Sequence, residues 1–131
     1  MAHVEKKVIA TDQAPKALGP YSAAIQVGAF IFCSGQTGID PATNQVVEGG
    51  VEAEARQVLS NLRAVLEAAG ASMANIVKTT VFLRDMNDFA KMNAIYAEFF
   101  ADKYPARSTF AVAGLPKNAS VEIEAIAYIG E

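Results

Sequence analysis

Few side chains in this sequence have the chemistry to bind or transform a small molecule, and they lie far apart along the chain. Arg107 stands in YPARSTFAV (104–112), beside a proline and at the entrance to an apolar strand, in a chain of net charge −3. A guanidinium offers a planar fork for a carboxylate, and one charged hydrogen bond contributes about 1.5–3 kcal/mol. Taken alone, Arg107 reads more simply as half of a structural ion pair. Glu122 stands in VEIEAIA (121–127). Most strand glutamates are solvated, but a charge within an apolar run is costly unless it is paired or close to water. Glu124 points to the same face, about 6.6 Å further along the strand. Such a neighbour could raise the carboxylate pKa and make Glu122 a usable base near neutrality. Two salt-bridged carboxylates at an interface fit the same residues.

Other candidates carry less. SGQTG (34–38) could present backbone amides to an anion, though a lone Gly-x-x-Gly is a weak signal. The same spacing occurs in the loop of KH RNA-binding modules; the sequence pI of about 5.2 and the order of elements argue against that class. Tyr21, in GPYS (19–22), could donate its hydroxyl to a ligand, although a half-buried packing tyrosine is the commoner role. Cys33 lies in an apolar strand without a histidine close in sequence and reads as an inert core thiol. His3 reads as terminal decoration. With one cysteine and one histidine, no zinc site of ordinary spacing can be built within one chain, and no intrachain disulfide can form.

These residues need a scaffold, and the sequence supplies one. Hydrophobic residues make up 52% and charged residues 19% of 131, the composition of a folded chain and one domain, 1–131. No apolar run approaches a membrane span, and MAHVEKKVIATD lacks the apolar core of a signal peptide. A cytoplasmic location is therefore expected; an organellar one would need a targeting segment outside this sequence. The acidic balance disfavours a broad phosphate-binding surface, so nucleic acid is not the expected partner.

Apolar residues at helical spacing from Val51 to Ala69 predict a first helix, with Gly70 as its stop. A second is predicted from about Asn87 to Lys103, capped by Asp85 or Asn87 and closed by Pro105, burying Phe89, Met92, Tyr96, Phe99 and Phe100. Segments 4–10, 23–28, 29–35, 75–83, 107–115 and 119–129 are rich in β-formers, and Val27-Gly28-Ala29 marks a tight reversal. The loop 36–50 carries turn chemistry. The predicted fold is α+β, in the order β-β-β-α-β-α-β-β, with both helices on one face of a mixed sheet. On the last strand Val121, Ile123, Ala125, Ala127 and Ile129 share the face toward the helices. Glu122, Glu124, Ile126 and Tyr128 look outward, a mixed surface that another subunit could cover. If the last two strands pair antiparallel, Arg107 falls at the far end from Glu122.

GPYSAAI (19–25), FCSGQTG (32–38), VKTTVFLRDMNDFAKMNAIYAEFF (77–100), PARSTFAVAGLP (105–116) and VEIEAIA (121–127) together resemble, in order, the RidA family, also called YjgF/UK114. The likeness covers nearly the whole chain. It implies a chorismate-mutase-like α+β fold, related to the ferredoxin-like folds and assembled as a homotrimer with clefts between subunits. It also implies hydrolysis of reactive enamines and imines, such as 2-aminoacrylate, to 2-oxo acids and ammonia, without a cofactor and without a metal. By resemblance, Arg107 clamps the substrate carboxylate and Glu122 positions or activates water. Tyr21, Ser34 and Gly35 line the cleft, and Asn93 lies near the ligand. Thr109 departs from the family pattern, in which cysteine is common; a backbone contact would survive that change and a thiol role would not. Two other activities stand as alternatives: the endoribonuclease or translation-inhibitor role described for some relatives, and a non-catalytic small-molecule-binding or chaperone-like trimer.

Overall fold

The computed structural model describes residues 5–130, so His3 lies outside the described residues. The strands are β1 (Lys7–Ile9), β2 (Ala24–Val27), β3 (Phe30–Thr37), β4 (Ile39–Asp40), β5 (Gln45–Val46), β6 (Ile76–Leu83), β7 (Ala106–Ala111) and β8 (Val121–Tyr128). The helices are α1 (Gly50–Ala68) and α2 (Phe89–Glu98). The expected order of elements is observed, with one addition: the loop 36–50 folds into the small β4–β5 hairpin.

The main sheet runs β1-β2-β3-β8-β6-β7. Only β6 and β7 are parallel; every other neighbouring pair is antiparallel. The presumed pairing of the last two strands is thereby corrected. β6 lies between β7 and β8, because the α2 crossover from β6 returns the chain parallel to β6 on its free side. Of the described helices, none is long and apolar enough to cross a membrane.

α1 begins at Gly49-Gly50, with φ of 116° and 80°, a backbone that few other residues adopt. It ends in a Schellman turn: the Ala71 N–H donates to the Leu66 carbonyl and the Gly70 N–H to the Glu67 carbonyl. Its apolar stripe from Val51 to Leu66 is buried as predicted. α2 is shorter than expected. Asp85 caps the turn before it, accepting from the Asn87 N–H at 2.9 Å. After Glu98 the backbone tightens, with Phe99 and Phe100 donating three residues back, and Phe100 folds against Tyr96 with ring centroids 4.8 Å apart. Phe89, expected in the core, lies at the rim instead.

The core lies between the helices and one sheet face, and includes Val81, Leu83, Val121, Ile123 and Ala127. Two polar side chains of α1 are buried with it. Asn61 is 1% exposed and donates to the carbonyls of Thr37 (3.2 Å) and Ile39 (2.9 Å), while its Oδ1 accepts from Gln57. Helix α1 thus holds the strand that leads out of SGQTG. Asn61→Leu strands those two carbonyls in the core, at about 1–3 kcal/mol for each buried group left unpaired. Urea unfolding should show a loss of about 2–4 kcal/mol at constant slope. A loss below about 1 kcal/mol would contradict this anchoring role.

Candidate functional site

The residues singled out in the sequence fall into two groups on opposite faces of the sheet. The first gathers around a break in the β3–β8 ladder. Cys33 pairs with Ala125 and Gln36 with Ile123, so Ser34 and Gly35 together face the single residue Glu124. This is a β-bulge, a device that re-aims side chains where pairing is interrupted. Glycine leaves room there for the Glu122 carboxyl, which a Cβ on Gly35 would displace. The Ser34 hydroxyl donates to the Ser22 carbonyl at 2.6 Å, and the Ser34 N–H donates to the Ala23 carbonyl at 2.9 Å. Those bonds tie the GPYS segment to the bulge. Tyr21 in that segment is 49% exposed, and its hydroxyl accepts from the Leu18 N–H at 3.0 Å. Its own proton is left to donate.

Glu122 is half-buried on the open face of the sheet, level with Phe82 and Phe110 across the strands. Burial, and then the charge of Glu124, push its carboxyl above the usual range. Cys33, by contrast, is the inert thiol expected: burial pushes it up to about 12, so it stays neutral at physiological pH.

The second group lies on the helix face. Arg107 is level with Thr79 and Ala125, both buried under the helices. Its guanidinium carbon sits 4.8 Å from the centre of the Tyr96 ring and 5.6 Å from that of Phe89. Aromatic faces attract a cation and fix the plane of its fork. The Tyr96 hydroxyl is held 2.7 Å from Thr79 Oγ1, and burial pushes its phenol up against the opposing effects of that hydrogen bond and of Arg107. Arg107 makes no ion pair among the described residues, where the one salt bridge is Arg56–Glu98 on the surface. The simpler reading of Arg107 as a structural ion pair therefore finds no partner among the described residues of one chain.

Asn93 lies on the α2 stripe that also presents Phe89 and Tyr96, at i, i+4 and i+7. Thr109 follows Arg107 by two residues on the same face of β7. Asn93 Oδ1 and Thr109 Oγ1 are buried without a hydrogen-bond partner. Unpaired buried polar atoms are rare and call for an explanation such as a ligand. Within one chain, Arg107 and Glu122 are three rungs and two strand spacings apart, about 14 Å, and on opposite faces. One protomer brings Ser34, Gly35 and Glu122 together. It does not bring Arg107, Asn93 and Thr109 to them.

Sequence reasoning missed the aromatic seat of Arg107, because Phe89 and Tyr96 share the spacing of an ordinary core stripe. The guanidinium needed a β6–α2–β7 crossover to reach them, and that crossover was the available signal.

A bulged strand beside a half-buried carboxylate, on a mixed sheet carrying two helices on one face, matches a known class. The sequence profile of the family described as Endoribonuclease L-PSP matches residues 11–129. The chain belongs to this family, whose members include proteins called RidA and YjgF. A RutC family protein of Pyrococcus horikoshii is 54% identical, over 94% of this chain and 98% of its own. The mouse protein named 2-iminobutanoate/2-iminopropanoate deaminase is 52% identical, over 99% of this chain and 96% of its own. Among solved structures, E. coli TdcF with bound serine superposes with a TM-score of 0.91 at 43% identity, covering 95% of this chain and 99% of that one. The fold expected by resemblance is thus the fold found.

The displaced ionisation of Glu122 has a thermodynamic consequence. A carboxyl whose folded pKa is raised contributes stability below its unfolded pKa, and that contribution is lost as pH rises through the folded value. Glu122→Gln should therefore be more stable than the parent at pH 7, and the difference should vanish below pH of about 4. Thermal unfolding across pH measures this. A Glu122→Gln protein less stable than the parent at pH 7 would contradict it.

Proposed function

We propose that this chain hydrolyses reactive enamines and imines of 2-oxo acids, releasing the 2-oxo acid and ammonia, as a single-domain homotrimer whose sites lie between protomers. The observation that carries this reading is an arginine seated on two aromatic rings with no carboxylate partner among the described residues, in a chain whose Glu122 is shifted toward the range of a general base. Relatives about half identical over nearly the whole chain, named 2-iminobutanoate/2-iminopropanoate deaminase, support the substrate class.

In this mechanism Arg107 of one protomer takes the substrate carboxylate in its fork, and Asn93 and Thr109 find in the ligand the partners they lack. An enamine such as 2-aminoacrylate first takes a proton on its terminal carbon, gives one up from its nitrogen and becomes the imine. Glu122 of the neighbouring protomer accepts a proton from water, whose oxygen bonds to the imine carbon. The C=N electron pair moves to nitrogen, which is protonated. The hydroxyl proton of the carbinolamine then passes to the amino nitrogen, the C–N bond breaks, and ammonia leaves with the 2-oxo acid behind. Tyr21, Ser34 and Gly35 shape the water side of the cleft. Imines hydrolyse in water unaided, so positioning and proton management are the contributions required.

The shared cleft is supported by the sheet's open face. Phe30, Phe32 and Phe110 are 44%, 46% and 46% exposed there, beside Val8 and Tyr128. An apolar face of that extent is the kind that a second subunit covers. An RNA-directed activity has no comparable support in a chain of net charge −3.

With enzymatically generated 2-aminoacrylate, the protein should release ammonia and pyruvate above the uncatalysed rate. Arg107→Ala removes a charged hydrogen bond and should lower kcat/KM by roughly 10- to 150-fold. Arg107→Lys should also be impaired, because a point charge replaces the fork. A change of less than about threefold for Arg107→Ala would remove the clamp from the mechanism. Light scattering should give three times the 13.8 kDa chain mass; the monomer mass would remove the shared cleft.

A further inference from the structure

Glu54 is a carboxylate in the core, 6% exposed, on α1, and the proposed hydrolysis makes no use of it. A buried carboxylate is costly unless polar groups hold it. Its Oε1 accepts the Ser120 N–H at 2.7 Å, one residue before β8 begins and two before Glu122. The backbone of Glu54 also abuts Gly38, the residue directly after β3: a Cβ there would lie 2.9 Å from the Glu54 Cα. One turn of α1 therefore touches the ends of both strands that carry the bulge and Glu122.

Those ends need an external hold. Beyond the bulge, the β3–β8 ladder continues for only two rungs, Gln36 with Ile123 and Thr37 with Glu122. β6 fixes the other edge of β8, but it says nothing about the spacing between β8 and the Ser34–Gly35 segment of β3. Arg84 braces the approach to β8 from outside, donating to the Asn118 carbonyl at 2.6 Å and to Ser120 Oγ at 3.3 Å. Its backbone N–H donates to the Ser120 carbonyl at 3.0 Å. From inside the core, the hydrogen bond that reaches Ser120 is the one to Glu54.

We propose that Glu54 is a positioning residue for Glu122: by bonding the Ser120 N–H while its backbone rests against Gly38, it fixes β8 against the Ser34–Gly35 bulge and keeps the Glu122 carboxyl over Gly35. The proposal rests on the hydrolytic reading above and adds to it a residue that touches no substrate. Glu54 acts through Ser120 and Gly38, and the half of the site built on Arg107 does not depend on it. Its loss should therefore disturb the water-activating side alone.

Glu54→Ala leaves the Ser120 N–H without its acceptor. It should lower kcat by at least about tenfold while KM moves by less than about twofold. In Glu54→Gln the amide oxygen accepts the same N–H, so kcat should return to within about threefold of the parent. Leu66→Ala, at the far end of α1, opens a cavity and should cost stability without lowering kcat. Should Glu54→Ala fail to fold, Gly38→Ala presses on the same turn of α1 and should give the same kcat-selective loss. The proposal is overturned by a full kcat in Glu54→Ala, by Glu54→Gln as impaired as Glu54→Ala, or by an equal kcat loss in Leu66→Ala. The Gly35 amide resonance reports independently of turnover: it should move in Glu54→Ala and return in Glu54→Gln, and no movement in Glu54→Ala overturns the proposal. Absence of hydrolysis in the unsubstituted protein, with the Gly35 resonance behaving as stated, would instead sink the hydrolytic reading and leave the positioning role standing.

Discussion

In a pleated strand, successive side chains point to opposite faces, and that alternation separates Arg107 from Glu122. Arg107 shares its rung with buried Thr79 and Ala125 and so lies on the helix face. Glu122 shares its rung with Phe82 and Phe110 and so lies on the open face. A one-residue slip of β8 would turn Glu122 to the helix face, but it would also turn Val121 and Ile123 out of the core. The hydrophobic pattern of β8 therefore keeps Glu122 away from Arg107 within one chain. In the proposed mechanism a neighbouring copy, seated on the open face with its exposed Phe30, Phe32 and Phe110, supplies the missing half.

The surroundings of Glu122 and of Arg107 act by different physics. Around Glu122, burial and a like charge favour the protonated carboxyl, moving it toward the range in which it can exchange protons near neutrality. Around Arg107 no described residue supplies an ion pair, and two aromatic faces orient the cation without neutralising it. An arginine held in this way keeps its hydrogen-bonding fork free for a ligand. Nearby, Asn93 Oδ1 and Thr109 Oγ1 are buried with no hydrogen-bond partner among the described residues and carry the cost of unpaired polar atoms.

Much of this was legible in the sequence, and the failures have identifiable causes. Helix α1 was readable because its apolar stripe, its acidic first turn and Gly70 all pointed the same way. The inward face of β8 was readable from strict alternation between Val121 and Ala127. The length of α2 was not, because Phe99 and Phe100 continue the apolar spacing while the backbone tightens to let Phe100 fold onto Tyr96. The bulge at Ser34–Gly35 was invisible as a bulge, since its cause is a register shift against β8, a strand 90 residues away in sequence. The candidate residues themselves were found from type, spacing and resemblance. Their distribution over two faces was not, because it depends on β6 lying between β7 and β8.

The claim most exposed to contradiction is that Arg107 and Glu122 of one working site belong to different protomers. It can be tested by unfolding Arg107→Ala and Glu122→Gln proteins, each impaired alone, and refolding them together in equal amounts. Random mixing in a cyclic trimer places an intact Arg107 against an intact Glu122 in roughly a quarter of the sites, so about a quarter of the parental imine hydrolysis should return. If both residues of a site came from the same chain, every chain would remain defective and the mixture would stay as impaired as its components.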